Sequence, residues 1–275
     1  MKRCLAAITI IIILFSRSIV DAEEKKYEVH LINIGQSDCI LIKGENKNYM
    51  IDAGLSGTAD KVLDYISSQG IEKFEDVIIT HYHDDHYGGL QELLSKKHVN
   101  RVILPRHQPK FRDFTFSFIE KNKTRIEYVS SSYSINSDNI NLNVILPEKE
   151  DMSVENNNSI IIYGLIDGIK YAFLADVEKE REKELLHNTE IIGCDVIKIA
   201  HHGLDTSSSD SLIKAINPYI ALISCDGRES PSYDVISSLT KNRVSVIRTD
   251  KHGDIVVRKG NKGKSVEIIT SKVIK

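Results

Sequence analysis

Residues 76–89 read DVIITHYHDDHYGG. The apolar run Val77 to Ile79 delivers the chain to a stretch, His81 to His86, in which three histidines and two aspartates crowd together, in a chain with 10 histidines overall. An Ile/Val-rich run of this length, entered from an aspartate and left through a polar cluster, reads as a buried strand. Alternate residues of an extended loop project the same way, so His81 and His83 can share one cation. Asp85 and His86, at what should be the start of a helix, then turn toward a second. Gly88 and Gly89 remove side chains where that helix must approach its neighbours closely. A solvated polar loop is the competing reading, and the density of metal-ligating residue types behind an apolar strand argues against it.

Outward from this stretch the same rhythm repeats. EVHLINI (28–34), CILI (39–42), YMID (49–52) and RVIL (101–104) read as strands, and ADKVLDYISSQG (59–70) as a helix with Val62, Leu63 and Ile66 at helical spacing and Gly70 as its stop signal. Farther on, SIIIYGLI and YAFLA predict a hairpin turned at Asp167–Gly168, and VIKIA, YIALISC and VSVIR alternate with helical stretches at 209–216 and 232–241. EKEREKE (178–184) alternates charge sign and reads as a solvated helix. SSSYSINSDN (130–139) and PEKEDMSVENNN (147–158) are the expected surface connections. This strand content excludes a helical bundle and points to an α/β chain of two comparable halves.

The N-terminus has its own logic: MKR, then the apolar CLAAITIIIILF, then SRSIVDA closing on the small Ala22. That is the layout of a secretory signal peptide, and the run falls short of the roughly 20 apolar residues of a membrane span. Residues 1–22 are therefore expected to be cleaved and the protein exported, with an uncleaved membrane anchor as the alternative. Loss of Lys2, Arg3, Arg17 and Asp21 leaves 33 basic against 38 acidic residues, net about −5, which excludes a bulk polyanion binder. Cys39, Cys194 and Cys225 sit in apolar surroundings without CxxC spacing, so buried free thiols are expected rather than a disulfide framework or a structural zinc knuckle.

The H-x-H-x-D-H loop behind a buried strand resembles the signature of the metallo-β-lactamase superfamily. In order, VHLINIGQSDCILI, YMIDAG, NNSIIIYGLIDGIKYAFLAD, IKIAHHG, INPYIALIS and VIRTDKHGDIVV resemble the hydrolase domain of ComEC-type competence proteins and its secreted stand-alone relatives, over roughly residues 27–258. The resemblance implies an α/β (α+β) fold, a four-layer αβ/βα sandwich of two mixed β-sheets packed face to face with helices outside, over residues 23–275. It implies two divalent cations, zinc first with manganese or iron as alternatives, held by His81, His83, Asp85, His86, Asp176 and His201. Asp52 in IDAG becomes a carboxylate that steadies the ligand loop without binding metal; a simple turn-forming role is the alternative. Asp176 becomes the carboxylate bridging both metals, or else a cap on the following helix. His201 is taken to complete the second site and His202 to orient substrate or ligands, with the exchange of the two left open; Asp85, His86 and His202 are the candidate catalytic residues.

There are departures from the pattern. The histidine often supplied by a middle motif is missing, and ENNNSIII offers Asn156, Asn157, Asn158 and Ser159 instead, while His98 and His107 come too early and read as surface residues. Asn33, Ser37 and Ala175 stand where Asp, Gly and Gly are usual.

Two cations sharing a water make hydrolysis the expected reaction class. Lys96, Lys97, Arg101, Arg106, Lys110, Arg112, Lys121, Lys123 and Arg125 face only Asp113 and Glu120 within the same stretch, interleaved with Phe111, Phe114, Phe116 and Phe118. Such a stretch is a candidate for a polyanion, with Lys96, Lys97, Arg106 and Arg112 as substrate-binding residues and a small or polymeric phosphodiester, nucleic acid included, as partner. An ordinary solvated surface with phenylalanines packed beneath it is the plainer alternative. A phosphodiesterase or nuclease is thus the leading expectation. An esterase, lactonase or other carbonyl hydrolase on the same metals is the alternative within the enzyme class. A non-catalytic metal-binding accessory protein for DNA or cell-wall polymer is the alternative outside it.

Overall fold

The computed structural model describes residues 27–106, 123–261 and 265–272. Among them, two mixed sheets carry fifteen strands. The first sheet is built from β1 (Glu28–Leu31), β2 (Ile40–Lys43), β3 (Asn48–Ile51), β4 (Lys73–Ile78), β5 (His98–Pro105), β6 (Arg125–Val129), β14 (Ile255–Lys259) and β15 (Val266–Thr270), in the order β15-β14-β1-β2-β3-β4-β5-β6. The second contains β7 (Tyr133–Ser137), β8 (Ile140–Ile145), β9 (Ile161–Ile166), β10 (Ile169–Phe173), β11 (Val196–Lys198), β12 (Ile220–Ile223) and β13 (Ser245–Arg248), in the order β13-β12-β11-β10-β9-β8-β7. Each sheet is part antiparallel and part parallel: β3, β4, β5 and β6 run parallel in the first, and β10 to β13 in the second.

Period-two alternation gives the central strands two buried faces. Ile40, Ile42, Ile51, Ile78 and Ile103 of the first sheet meet Ile162, Tyr171, Phe173 and Leu222 of the second in one core between the sheets. The intervening Leu41, Met50, Val77, Ile79 and Val102 turn the other way, onto α1 (Ala59–Ser68) through Val62 and Ile66 and onto α3 (Leu90–Lys96) through Leu90 and Leu93. Ile161, Ala172, Ile197 and Ala221 likewise face α4 (Lys179–Leu185), α5 (Asp210–Ile216) and α6 (Tyr233–Lys241). Three apolar cores between helix, sheet, sheet and helix are the expected four-layer sandwich. The short helices α2 (Asp84–Tyr87) and α7 (Thr249–His252) lie at loop ends.

Local signals acted as read at several points. Gly70 lies just past α1 with φ of 71°, and Asp167 and Gly168 turn the β9–β10 hairpin at φ of 50° and 80°; the structure adds caps at Ser209 and Ser232, which accept from Leu212 N and Val235 N at the starts of α5 and α6. Cys39, Cys194 and Cys225 are free and buried, and burial pushes the thiols up, to about 12 for Cys194 and about 11 for Cys225.

Two expectations are corrected. Residues 130–139 are not simply a connection: Tyr133–Ser137 pairs with Ile140–Ile145 across an Asp138–Asn139 turn, with Ile135 opposite Leu142. Only alternate residues of this edge strand are apolar, and its polar face masked the pattern. Nor is 178–184 a purely solvated helix, because Arg181 and Glu182 are buried; the Glu182 carboxylate accepts from Ser208 N and Ser209 N and so ties down a distant loop.

The glycine pair after the histidine loop marks a close approach. A side chain on Gly89 would place its Cβ 2.3 Å from the carbonyl oxygen of Ala53, and Gly89 N donates to Gly54 O at 2.8 Å. Gly89→Ala should therefore lower stability by about 1–3 kcal/mol through overpacking against backbone. Urea unfolding measures this, and an unchanged midpoint would show that the loop moves aside freely.

Candidate metal centre

The centre is assembled at strand ends, where the parallel β3 and β4 release their chains. Asp52, just past β3, is buried in a left-handed conformation at φ of 60°. Its Oδ1 accepts from Thr80 N at 2.7 Å, and its Oδ2 accepts from Thr80 Oγ1 at 2.9 Å and lies 2.7 Å from His86 Nδ1. One carboxylate thus pins the strand end and orients the His86 ring, so that Nε2 stands 3.2 Å from Asp176 Oδ2. Asp52 serves as turn former and as orienting carboxylate at once. Asp176 follows β10 and does not cap α4, whose N-cap is Glu178.

The histidine loop divides in two. His81 Nε2 and His83 Nδ1 approach to 3.2 Å. Across from them, Asp85, His86, Asp176 and His202 each offer a donor atom, all four within 4.8 Å of one another. His202 Nε2 is 3.1 Å from Asp85 Oδ2 and 3.5 Å from Asp176 Oδ2, while its Nδ1 lies 3.1 Å from Ser224 O. The structure therefore brings His202 into the four-donor group that the sequence reading completed with His201. His201 Nε2 stands 3.9 Å from Asp176 Oδ2 and 3.5 Å from Asn156 Nδ2, and its Nδ1 is 2.8 Å from Thr206 Oγ1. Both histidines are left-handed, at φ of 48° and 54°, and this sharp turn sends one ring inward and leaves the other at the rim, its side chain 18% exposed.

Charge is concentrated here. Burial opposes an imidazolium at His86, yet the carboxylates of Asp176 and Asp52 outweigh it and hold His86 well above the usual histidine range. Burial likewise works against the charged forms of Asp176 and His202, but His86 and His202 hold Asp176 well below the carboxylate range, and Asp176 and Asp38 raise His202. Burial is the largest cause of the downward shifts of His81 and His201, to which neighbouring His202 adds, and of the upward shift of Asp52, to which Asp38 adds. The donor set fits divalent cations: imidazole nitrogens and carboxylate oxygens converge. Among the described residues, buried His86 Nε2 and Asp176 Oδ1 make no hydrogen bond.

Several participants were not read from the sequence. Asp38 and Lys198 form a fully buried ion pair beside Asp176, and the only hint was a lone lysine inside the apolar run VIKIA. Ser37 Oγ donates to Asp85 O at 2.6 Å and accepts from Leu55 N at 2.9 Å, a locking role for the serine that departs from the usual glycine. Ala175 is left-handed at φ of 48°, which is why glycine suits that position. Asn156 to Ser159 are buried, and Asn156 Nδ2 donates to Glu178 Oε1 at 2.9 Å.

The basic stretch is less free than its composition suggests. Lys97 pairs with Glu72 at 2.8 Å, and Arg101 binds Asp76 through two nitrogens and Glu127 through a third. Asp76 and Glu127 come from the strands on either side of β5 and Glu72 from the loop just before β4, which a local count of charges cannot see. Lys96 is exposed, and Arg106 lines a cavity of about 350 Å³ with Pro105, Ser130 and Asn158. His98 is exposed; His107, Arg112 and the interleaved phenylalanines lie outside the described residues.

Residues 32–228 match the metallo-β-lactamase superfamily. The chain belongs to that superfamily. Among curated relatives, ComE operon protein 3 of Bacillus subtilis (strain 168) is 27% identical over 259 residues, covering 86% of this chain and 33% of that protein. Recombination protein 2 of Haemophilus influenzae is 24% identical over 240 residues, covering 84% and 29%. The chain thus spans about a third of the length of these relatives. The solved metallo-β-lactamase fold protein YhfI from Bacillus subtilis superposes with a TM-score of 0.57 at 13% identity, covering 85% of this chain and 99% of YhfI. Fold, family and donor set together place this metallo-β-lactamase protein among the metal-dependent hydrolases.

A raised His86 value has a thermodynamic sign. In metal-free protein its imidazolium contributes stability fully present below about pH 6.5, and that contribution is lost as pH rises through the raised value. Asp176 contributes above the ordinary carboxylate range and loses its part as pH falls through its lowered value. The stability gap between wild type and His86→Gln, measured by urea unfolding in excess chelator, should be large at pH 6 and shrink in alkaline buffer. A gap that is flat or widens with pH would mean that His86 is neutral in the fold.

Proposed function

We propose that the protein is an exported phosphodiesterase or nuclease. The observation that carries the reading is the convergence of Asp85, His86, Asp176 and His202 within 4.8 Å, beside the His81–His83 pair. In this reading His81, His83 and Asp176 would hold one cation, and Asp85, His86, His202 and the same Asp176 would hold the other. Divalent cations bound there, zinc first and manganese or iron as alternatives, supply Lewis acidity, lowering the pKa of water from about 15.7 towards 7 and offsetting negative charge on a phosphoryl group. The protein's own part is to orient. Asp52 aims His86, Ser224 O anchors the far nitrogen of His202, and Thr206 holds His201 at the rim, where it faces incoming substrate.

A phosphodiester is favoured over a carbonyl substrate by two features. One is the resemblance to competence proteins, together with a relative named for recombination. The other is exposed Arg106, which follows β5 at the sheet end where the histidine loop leaves β4 and lines the cavity there, whereas Lys96 precedes β5 at the opposite end of the sheet. Lys97, held by Glu72, is demoted to a supporting role.

Purified protein should bind up to two zinc or manganese ions per chain and, so loaded, hydrolyse bis(p-nitrophenyl) phosphate and single-stranded DNA in preference to a lactone. Asp176→Asn should abolish turnover of all three and reduce metal content, as read by elemental analysis. Protein that takes up no metal after reconstitution would end the hydrolase reading, and a lactone preference would replace the phosphodiester with a carbonyl substrate.

Export rests on residues 1–22, which lie outside the described residues; among the described residues no helix is long and apolar enough to cross a membrane. Expressed in a bacterial host, the chain should leave the cytoplasm with a new N-terminus at or near Glu23. An intact Met1 on membrane-bound product would establish the anchor instead.

A further inference from the structure

Lys198 ends β11 in a position where no solvent reaches it, and a buried ammonium needs an account. Its Nζ pairs with Asp38, contributed by the turn before β2, and stands 3.9 Å from Asp176 Oδ1. On the opposite side of the same carboxylate, Oδ2 faces His86 Nε2 at 3.2 Å, His202 Nε2 at 3.5 Å and His201 Nε2 at 3.9 Å. Asp38 also reaches toward the histidines, its Oδ1 lying 3.7 Å from His202 Nδ1. The two oxygens of Asp176 thus have different company: one looks at a lysine, the other at three imidazoles.

We infer that Lys198, held by Asp38, is a positioning residue whose charge, 3.9 Å from Oδ1 and not hydrogen-bonded to it, biases the rotation of the Asp176 carboxylate and turns Oδ2 toward cations. The inference rests on the reading of Asp176 as a metal ligand. Stability alone does not explain the pair, because replacing a buried ion pair by neutral groups of similar volume is often neutral or stabilising. Charge balance alone does not explain it either, since a cation beside the bridging carboxylate opposes the binding of other cations. An ammonium that orients the ligand accounts for both its burial and its place.

The test is the double variant Lys198→Met/Asp38→Asn, which removes both charges and leaves neither partner stranded. Its chelator-treated form should unfold in urea at or above the wild-type midpoint, while its zinc affinity, read by competition with a chelating dye, should fall about 10–100-fold, as for loss of other groups that orient metal ligands. Lys198→Arg, which keeps the charge, should recover part of that loss. Zinc affinity that is unchanged or tighter in the double variant would overturn the inference. A wild-type protein that binds no zinc would instead sink the metal reading beneath it. Where the variants do not fold, wild-type protein carries the test: the ¹⁵Nζ resonance of Lys198 should shift on zinc titration, and an unmoved resonance is the negative result.

Discussion

Asp52 is the contact on which the rest of the centre depends. A carboxylate without access to water is expensive to bury and survives only when its oxygens are satisfied. Here Thr80 satisfies it from the strand carrying the histidine loop, and His86 from the short helix that follows. The same three residues therefore close the turn after β3, terminate β4 and set the direction of an imidazole. Because His86 in turn faces Asp176 of the other sheet, the packing of the two sheets and the shape of the centre are one problem rather than two.

How much of this was legible in the sequence follows from the range of each interaction. Strands such as CILI and YMID announce themselves because both faces are buried, so every residue carries the signal. The H-x-H-x-D-H loop announces itself because its donors are neighbours in the chain. What escaped notice has partners far away. Asp38 and Lys198 are 160 residues apart, and Asp76 and Glu127 on the strands flanking β5, with Glu72 just before β4, neutralise part of a basic run. Which ring of the His201–His202 pair turns inward was illegible for a different reason: it follows from two successive left-handed residues, and nothing in the letters HH states a dihedral angle.

The helix read as solvated shows the same limit from another side. Its alternating charges are real, yet Glu182 turns inward to hold the backbone of Ser208 and Ser209, and Lys179 N donates to Thr206 O at 3.1 Å. Thr206 then holds His201. A charged surface helix is in this way the outer support of a histidine at the rim, which a pattern of charges alone could not reveal.

The wide sequence separations inside the centre also set an order of events. Asp85 and His202 lie 117 residues apart, and each belongs to a different sheet's loops, so their approach cannot precede docking of the sheets. Contacts this remote in the chain form late in folding and slowly. Until they form, the chain can offer a cation little more than the local histidine pair. Capture of a cation by the whole donor set would therefore have to wait for the two sheets to dock.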